Sequence, residues 1–374
     1  MRQQLWLSVL VFHLAFGVAS VAVALRWRRR LAGEGRVGGG AAIGDAGFLL
    51  AVALLAAGVG ALAGARSGFT VLRLLAQGLF GEIPLLLAVV AGLLARAGRG
   101  RWGVALAMVP LALLAVYAEA YHRGPRDLRV SRHSIRARAE TGRRLSLLHL
   151  SDIQTDRVGE HEERAIAAAL AQPADLVLLT GDYVQPRVDP TREETTARLN
   201  ALLRRLQAPL GVYAVEGDTD HDWPRVLTGT GIVPLTGEVA RVALPGGGAL
   251  SVVGLTGRMS HGGDSEGVLE LVRSVPPGDL CLVAGHGPDF VIGLAGAAPV
   301  DLALAGHTHG GQVVLPLYGP PITKTRLPRR HARGMSSYQG LALHVSAGIG
   351  MERTTAPQMR FLCPPEICLI ELRY

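Results

Sequence analysis

The chain of 374 residues is long enough for two or three domains, and its net charge of +8 is unevenly distributed. Residues 1–144 hold 19 arginines against six acidic residues, whereas residues 145–374 hold 19 basic residues against 24 acidic ones. The acidic C-terminal part argues against a nucleic-acid-binding protein, which needs a basic working surface. Three cysteines without a CxxC pair give no disulfide framework and no zinc ribbon.

Four apolar stretches occupy the N-terminal third of the chain. Each has about the 20 residues that a helix needs to cross a bilayer core of about 30 Å. They lie near residues 5–25, 44–65, 74–95 and 102–121. We therefore expect an all-helical transmembrane domain of about four spans over residues 1–122, followed by a basic juxtamembrane linker over 123–144 and a third region over 145–374.

Arginine-rich segments beside these spans indicate the orientation. RWRRR at 26–30 follows the first span and RAGRGR at 96–101 precedes the fourth, and the positive-inside rule places both in the cytoplasm. The C-terminal domain of this multi-pass membrane protein is then extracytoplasmic. The eight arginines of residues 123–144 favour the opposite side. We expect the first orientation because the first span usually dominates.

From Leu145 onward, short apolar strands alternate with amphipathic helices. Helices are predicted over 161–172 and 190–208 and near 265–275 and 289–295. Strands are predicted at LSLLHL, DLVLL, GVYAV, ARVAL, LSVVGL, DLCLVA, DLALA, LALHV and EICLIEL. This alternation predicts an α/β fold with helices on the faces of a sheet. Cys281 and Cys368 lie inside such strands, where we expect them to be small buried apolar side chains.

Side chains that can bind metal follow five of these strands. They are Asp152, Asp182, Asp218, His286, and the pair His307 and His309. The carboxyl ends of strands in an open α/β sheet line one crevice, so we expect these side chains to converge. A single aspartate at a strand end is usually a turn residue or a helix cap. Five such ends in one domain, one of them with a His-x-His pair, predict a metal centre.

These segments resemble one protein family, the calcineurin-like metallophosphoesterases, and more narrowly its membrane-anchored bacterial branch. The resemblance lies within residues 145–374 in LSDIQTD, LLTGDYV, VYAVEGDTD, VAGHGPD, LALAGHTHGGQ and the closing RFLCPPEICLIEL. It implies a four-layer αββα sandwich, two β-sheets flanked by helices, with two divalent metal ions at the strand ends. It also implies hydrolysis of a phosphate ester by attack of a hydroxide that bridges the two ions.

The resemblance implies a role for each strand-end residue. Asp152 and His309 would ligate the first ion, and Asp182 would bridge both. Asp218, His286 and His307 would complete the second ion.

Three positions depart from the family pattern. Gln154 stands in place of a histidine ligand, Thr219 in place of the general-acid histidine, and Asp218 in place of an asparagine ligand. Gln154 can still ligate through its amide oxygen. The donor set then shifts toward oxygen, which favours the harder Mn²⁺ or Mg²⁺ over Fe or Zn²⁺.

Two further histidines are weaker candidates for this site. His221 lies two residues beyond Thr219 and is a candidate for the proton transfer that the missing histidine would perform. His261 lies in a glycine-rich loop and is a candidate for lining the same cleft.

We expect a membrane-anchored hydrolase acting on phosphoric ester bonds. Its substrate would be a phosphate ester, and the position beside the bilayer makes a phospholipid one candidate. The alternative is a catalytically impaired membrane receptor or scaffold that binds metal or a phosphorylated ligand, because Gln154 and Thr219 replace histidines. No nucleic-acid partner is expected, and the sequence leaves the substrate and the oligomeric state open.

Overall fold

The computed structural model describes residues 2–33, 68–96, 100–138, 141–185, 192–220, 223–353 and 356–374. The described residues fall into two compact units that divide near residue 120.

The described part of the N-terminal unit is helical. Its helices are α1 (Arg2–Gly33), α2 (Gly68–Gln77), α3 (Ile83–Arg96) and α4 (Gly100–Tyr117), with π-helical turns at Gly78–Glu82 and Ala118–Arg123. Two continuous helical stretches, Leu72–Gly92 and Val104–Arg126, are long and apolar enough to cross a membrane. This criterion uses only length and composition, and the core helix of a soluble protein also meets it.

The four predicted spans therefore stay a prediction. The third and the fourth overlap the two stretches just named. The first lies within α1, whose apolar part, Val11–Arg26, is shorter, and the second, 44–65, lies outside the described residues. Large apolar side chains on α4, such as Val104 and Leu111, are 67% and 57% exposed, as they would be on a helix that faces lipid.

Two six-stranded sheets form the framework of the C-terminal unit. The strands are β1 (Arg129–Arg136), β2 (Arg144–Leu150), β3 (Leu176–Leu179), β4 (Val212–Ala214), β5 (Val233–Pro234), β6 (Glu238–Ala243), β7 (Ala249–Gly254), β8 (Leu280–Ala284), β9 (Leu302–Ala305), β10 (Gly334–Tyr338), β11 (Leu341–Val345) and β12 (Glu366–Arg373). The first sheet has the order β1-β12-β2-β3-β4-β5, and the second has the order β10-β11-β9-β8-β7-β6. Parallel and antiparallel pairs occur in both.

Helices cover the outer faces of both sheets. They are α5 (Glu160–Leu170), α6 (Arg192–Leu203), α7 (Trp223–Leu227), α8 (Gly257–Ser260), α9 (Ser265–Arg273) and α10 (Val291–Leu294). Leu148 of β2 packs in one apolar core with Leu199 of α6, and Val283 of β8 packs in another with Val268 of α9. The unit is therefore a mixed α/β fold, as the sequence predicts.

A third apolar core lies between the two sheets. Successive side chains of a strand point to opposite faces. Leu145 and Leu147 of β2 therefore point away from the helix side and pack with Leu250 of β7 and Leu282 of β8. The order of layers is helix, sheet, sheet, helix.

The first sheet begins earlier than the sequence analysis expected. Residues 129–136, inside the stretch interpreted as a linker, form β1 and pair in parallel with β12 from Arg129↔Glu366 to Arg136↔Arg373. The segment RVSRHSIR lacks the apolar run of the other strands because β1 is an edge strand. The folded unit therefore includes residues before Leu145.

Candidate metal centre

The predicted site residues follow strands whose carboxyl ends meet. β2, β3 and β4 are parallel neighbours, and Asp152, Asp182 and Asp218 come soon after their ends. In the second sheet β8 and β9 are also parallel neighbours, and His286 and His307 follow them. The topology thus brings residues far apart in sequence to one end of the sandwich.

Six of the seven predicted ligands form two groups at this end. Asp152, Asp182 and His309 make up the first group, and Asp218, His286 and His307 make up the second. Within each group, one nitrogen or oxygen per residue lies within 4.8 Å of the others. Asp182 Oδ2 is also 3.5 Å from His286 Nε2, so this carboxylate faces both groups.

The backbone at these positions adopts an unusual conformation. Residues with positive φ include Asp152, Gln154, Asp182, His307 and His309, with φ between 38° and 67°. This left-handed conformation costs a non-glycine residue about 1–3 kcal/mol and persists only where the surrounding structure imposes it. The turns after the strands thus hold the side chains at the cost of local strain, as is common at functional sites.

Two glycines allow close approach to the carboxylates. A Cβ on Gly306 would lie 2.3 Å from Asp152 Oδ2, and a Cβ on Gly217 would lie 2.1 Å from Asp182 Oδ1. Neither position therefore accepts a side chain without displacing a carboxylate.

Asp152 and Asp182 are buried, and hydrogen bonds orient them. Asp152 accepts the Ser151 hydroxyl at 2.6 Å and the backbone N–H of His307 at 3.0 Å. Asp182 Oδ1 accepts both the backbone N–H and the hydroxyl of Thr219, at 3.0 and 2.9 Å. Asp182 Oδ2 remains directed toward His286.

Asp220 organises the turn around Asp182, a role that the sequence analysis did not assign. Its carboxylate accepts the backbone N–H groups of Asp182, Tyr183 and Gly217 at 2.7, 2.9 and 2.8 Å. The only sequence signal is its position in GDTD, next to the predicted site.

Among the described residues the amide oxygen of Gln154 has no hydrogen-bond partner, and hydrogen bonds around Gln185 fix this orientation. Gln185 Oε1 accepts the backbone N–H of Arg353 at 2.7 Å, and Gln185 Nε2 donates to the Glu352 carboxylate at 2.9 Å. Gln185 can therefore only accept from Gln154, whose Nε2 donates to it at 3.1 Å. Gln154 Oε1 is then left buried and unpaired within the described part of the chain.

The imidazoles are also arranged as ligands. His286 Nδ1 donates to the carbonyl of Thr180 at 2.8 Å, which directs Nε2 toward the other ligands of the centre. This Nε2 lies 3.3 Å from His307 Nδ1 and 3.6 Å from Asp218 Oδ1. Both ring nitrogens of buried His309 lack a hydrogen-bond partner among the described residues.

The charges of the site favour a bound cation. Burial raises the pKa of Asp152 and of Asp182 above the usual range. Burial alone would lower the pKa of His286, but the carboxylates of Asp182 and Asp218 outweigh it and raise this pKa to about 10. Burial lowers the pKa of His307 to about 4. Without a metal, the carboxylates keep His286 protonated, and this imidazolium supplies the positive charge beside them.

These residues fit a pair of divalent cations. Unpaired buried lone pairs on Gln154 and His309, together with converging carboxylates, are what a metal shell requires and what a folded core otherwise avoids. The groups can therefore hold metal ions, one beside Asp152 and His309 and one beside Asp218, His286 and His307, with Asp182 between them.

The remaining predicted residues lie close to this centre or outside the described residues. Thr219 makes its two hydrogen bonds to Asp182. His221 lies outside the described residues. The ring of His261 meets that of His307 edge-on at 4.7 Å between centroids, and its Nδ1 donates to the carbonyl of Gly257 at 2.8 Å, so His261 lines the second group.

A buried arginine supports the loop behind Asp152, and nothing in the sequence analysis indicated it. Arg360 is fully buried and donates to the backbone carbonyls of four residues. They are Ala347, Gly348, Gly350 and Cys363. In turn Gly350 N–H donates to the carbonyl of Asp152 at 2.6 Å. Arg360 therefore fixes the loop against which Asp152 packs.

Known proteins are similar to more than half of this chain. Curated relatives match this chain over most of their own length, and three of them serve as examples. The chain is 29% identical over 231 residues to the uncharacterized metallophosphoesterase YkuE of Bacillus subtilis (60% of this chain, 76% of the relative). It is 28% identical over 218 residues to the phosphodiesterase YaeI of Escherichia coli (56% and 74%). It is 24% identical over 283 residues to the UDP-2,3-diacylglucosamine pyrophosphatase LpxG of Chlamydia trachomatis (62% and 82%).

A family model gives the same result. Residues 145–311 match the model of the calcineurin-like phosphoesterase, and this range includes every residue of the two groups. The domain that contains residues 145–311 therefore belongs to the calcineurin-like phosphoesterase family.

Proposed function

We propose that this chain is a metal-dependent phosphoesterase that hydrolyses a phosphate ester. The observation that carries the proposal is the convergence of the two groups around Asp182. Among the described residues, both ring nitrogens of His309 and the amide oxygen of Gln154, two residues after Asp152, have no hydrogen-bond partner. Buried polar atoms are normally hydrogen-bonded, so a purely structural role does not explain these lone pairs. The family and its curated phosphoesterase relatives support the same chemistry.

The residues divide the work of the site between them. Asp152, Gln154 and His309 would hold the first ion, and Asp182 would face both. When bound, the ions would make water a nucleophile near neutral pH and neutralise charge on the phosphoryl oxygens. The chain itself contributes orientation through the Ser151 and Thr219 hydrogen bonds, which keep the two buried carboxylates pointed into the centre.

The leaving group receives little help at Thr219. An alcohol is a poor general acid, and the Thr219 hydroxyl already donates to Asp182. We therefore expect esters with good leaving groups, such as aryl phosphates or pyrophosphates, to react faster than alkyl esters.

Oxygen donors dominate the first group. Asp152 and Asp182 offer oxygen and His309 offers nitrogen, and Gln154 would add a third oxygen, so this set favours Mn²⁺ or Mg²⁺. The second group, with two imidazoles, also accommodates Fe or Zn²⁺.

A lipid-linked phosphate is the substrate class that best fits the whole chain. One relative is named for a pyrophosphatase activity on a diacylated sugar nucleotide. The two long apolar helices would hold the hydrolase against a bilayer, where such substrates lie. We propose a multi-pass anchor and an extracytoplasmic site.

The test is turnover by the full chain, purified in detergent and loaded with Mn²⁺, on an aryl phosphodiester and an aryl phosphomonoester. We expect hydrolysis that chelator removes and that Asp182→Asn abolishes. Asp279→Asn is the matched control, because Asp279 is also buried but pairs with Arg241 at the opposite end of β8. A metal-loaded chain that hydrolyses neither ester would overturn the proposal in favour of a receptor or scaffold.

A further inference from the structure

A second polar cluster lies between the two sheets, separate from the metal centre. It consists of His133 on β1, His344 on β11, and Glu366 and Cys368 on β12, and we call it the inter-sheet cluster. One nitrogen, oxygen or sulfur from each of the four lies within 4.8 Å of the others. His344 and Cys368 are fully buried, and the other two are half-buried.

Strand geometry directs these side chains toward one another. Cys368 and Ile370 alternate with outward-facing neighbours, and both belong to the core between the sheets. On β11, Leu343 and Val345 pack on the helix side, so His344 between them points to the opposite sheet. The cluster therefore joins two strands of the first sheet to one strand of the second.

A chain of hydrogen bonds fixes the protonation of the buried histidines. Asp152 accepts the Ser151 hydroxyl, and Ser151 therefore accepts the Thr180 hydroxyl at 2.6 Å. Thr180 then has only a lone pair to offer His149 Nε2, at 2.8 Å, so His149 Nε2 carries the proton.

The same logic continues to His344. A neutral imidazole that carries its proton on Nε2 offers Nδ1 as an acceptor, and His149 Nδ1 faces His344. His344 Nδ1, at 2.8 Å, must therefore donate to it. Because His149 engages His344 Nδ1, Nε2 is the nitrogen that remains available to the inter-sheet cluster. This buried nitrogen has no hydrogen-bond partner among the described residues.

We propose that the inter-sheet cluster binds a third divalent ion of the Zn²⁺ type, which braces the two sheets. Imidazole, carboxylate and thiolate are each ligands of Zn²⁺, and four of them can complete its tetrahedral shell. Ligand atoms of such a site lie about 3.3–3.8 Å apart. The four ligand atoms would reach that spacing after a shift of about 1 Å. His133 and Glu366 are only half-buried and therefore have room to move. Binding replaces the thiol proton of Cys368, which leaves to solvent.

The proposed site also reaches the metal centre. The hydrogen bonds from His344 through His149, Thr180 and Ser151 end on Asp152. An ion on His344 Nε2 would hold this chain in a single arrangement and thereby position Asp152.

Cobalt spectroscopy tests the proposal without reference to turnover. A thiolate bound to Co²⁺ gives a charge-transfer band in the near ultraviolet, and the Asp and His groups of the metal centre contain no thiol. The full chain, stripped of metal in detergent and titrated with Co²⁺, is expected to show this band. Cys368→Ser should lose it, and Cys281→Ser, which changes another free buried cysteine, should keep it. A saturated chain without the band, or a band that survives in Cys368→Ser, overturns the proposal.

A second variant covers the case in which Cys368→Ser does not fold. Glu366→Gln keeps the size of the side chain and removes one charge. The full chain grown with zinc should lose one ion on this substitution, as measured by elemental mass spectrometry, and its melting temperature should fall below that of the zinc-loaded wild type. Unchanged zinc content in a folded Glu366→Gln variant contradicts the proposal.

Discussion

Thr219 donates two hydrogen bonds to one oxygen of Asp182, its backbone N–H at 3.0 Å and its hydroxyl at 2.9 Å. The residue that the family resemblance marks as the general-acid position thus orients a buried carboxylate. The backbone donor would remain after any substitution other than proline, so the side chain is free to change without loss of all support for Asp182.

Restoring an imidazole at this position should increase activity. We expect Thr219→His to raise kcat by about 10²–10⁴-fold on an alkyl phosphate ester, because a general acid typically contributes that much when the leaving group is poor. An aryl ester, whose leaving group needs no proton, should change little. Steady-state kinetics on the two esters measure the difference. Equal effects on both would show that position 219 does not serve the leaving group.

The orientation of Gln154 should depend on Gln185. Gln185→Leu removes the acceptor of Gln154 Nε2, and the amide is then free to rotate its oxygen out of the centre. We expect affinity for Mn²⁺ to fall by about 10–100-fold, the usual cost of removing a residue that orients a ligand. Calorimetric titration of the stripped full chain measures it. Gln172→Leu, on a glutamine outside the centre that bonds Arg132, is the control and should bind as the wild type does.

Metal binding should release protons. Burial lowers the pKa of His286, but the surrounding carboxylates raise it to about 10, so the metal-free site is protonated at about pH 8. An ion that takes the Nε2 lone pair must displace this proton, and affinity should therefore fall as pH falls. Calorimetry in two buffers of different ionisation enthalpy detects the release. Identical heats in both buffers would show that His286 is already neutral.

Arg360→Met should destabilise the C-terminal unit. The substitution removes the guanidinium donor from the carbonyls of Ala347, Gly350 and Cys363 in the interior, whereas the carbonyl of Gly348 still accepts the backbone N–H of Glu366. Each buried unpaired group costs about 1–3 kcal/mol, so we expect a loss of about 3 kcal/mol or more in the free energy of unfolding. Thermal unfolding followed by circular dichroism measures it, with exposed Arg205→Met as the control. A variant as stable as the control would show that water replaces the guanidinium.

The sequence predicts the sheets and most of the metal centre because both are encoded in short local patterns. Aspartates and histidines after apolar runs are visible one strand at a time, and parallel strands bring their ends together. The structure places Asp152, Asp182, Asp218, His286 and His307 accordingly. Their role as ligands remains a prediction.

Other features depend on contacts that no local pattern contains. The bare oxygen of Gln154 depends on Glu352, nearly two hundred residues later, through Gln185. β1 was interpreted as linker because an edge strand tolerates the polar sequence RVSRHSIR. The inter-sheet cluster joins His133 to His344 only when two sheets pack face to face.

Anomalous diffraction from crystals of the Mn²⁺-loaded chain tests the central claim most directly. We predict two peaks about 3.5–4 Å apart, the spacing of a dinuclear site, on either side of the Asp182 carboxylate. One should contact Asp152, Gln154 and His309, and the other should contact Asp218, His286 and His307. A single peak, or no peak at these residues in crystals that contain Mn²⁺, would contradict the account.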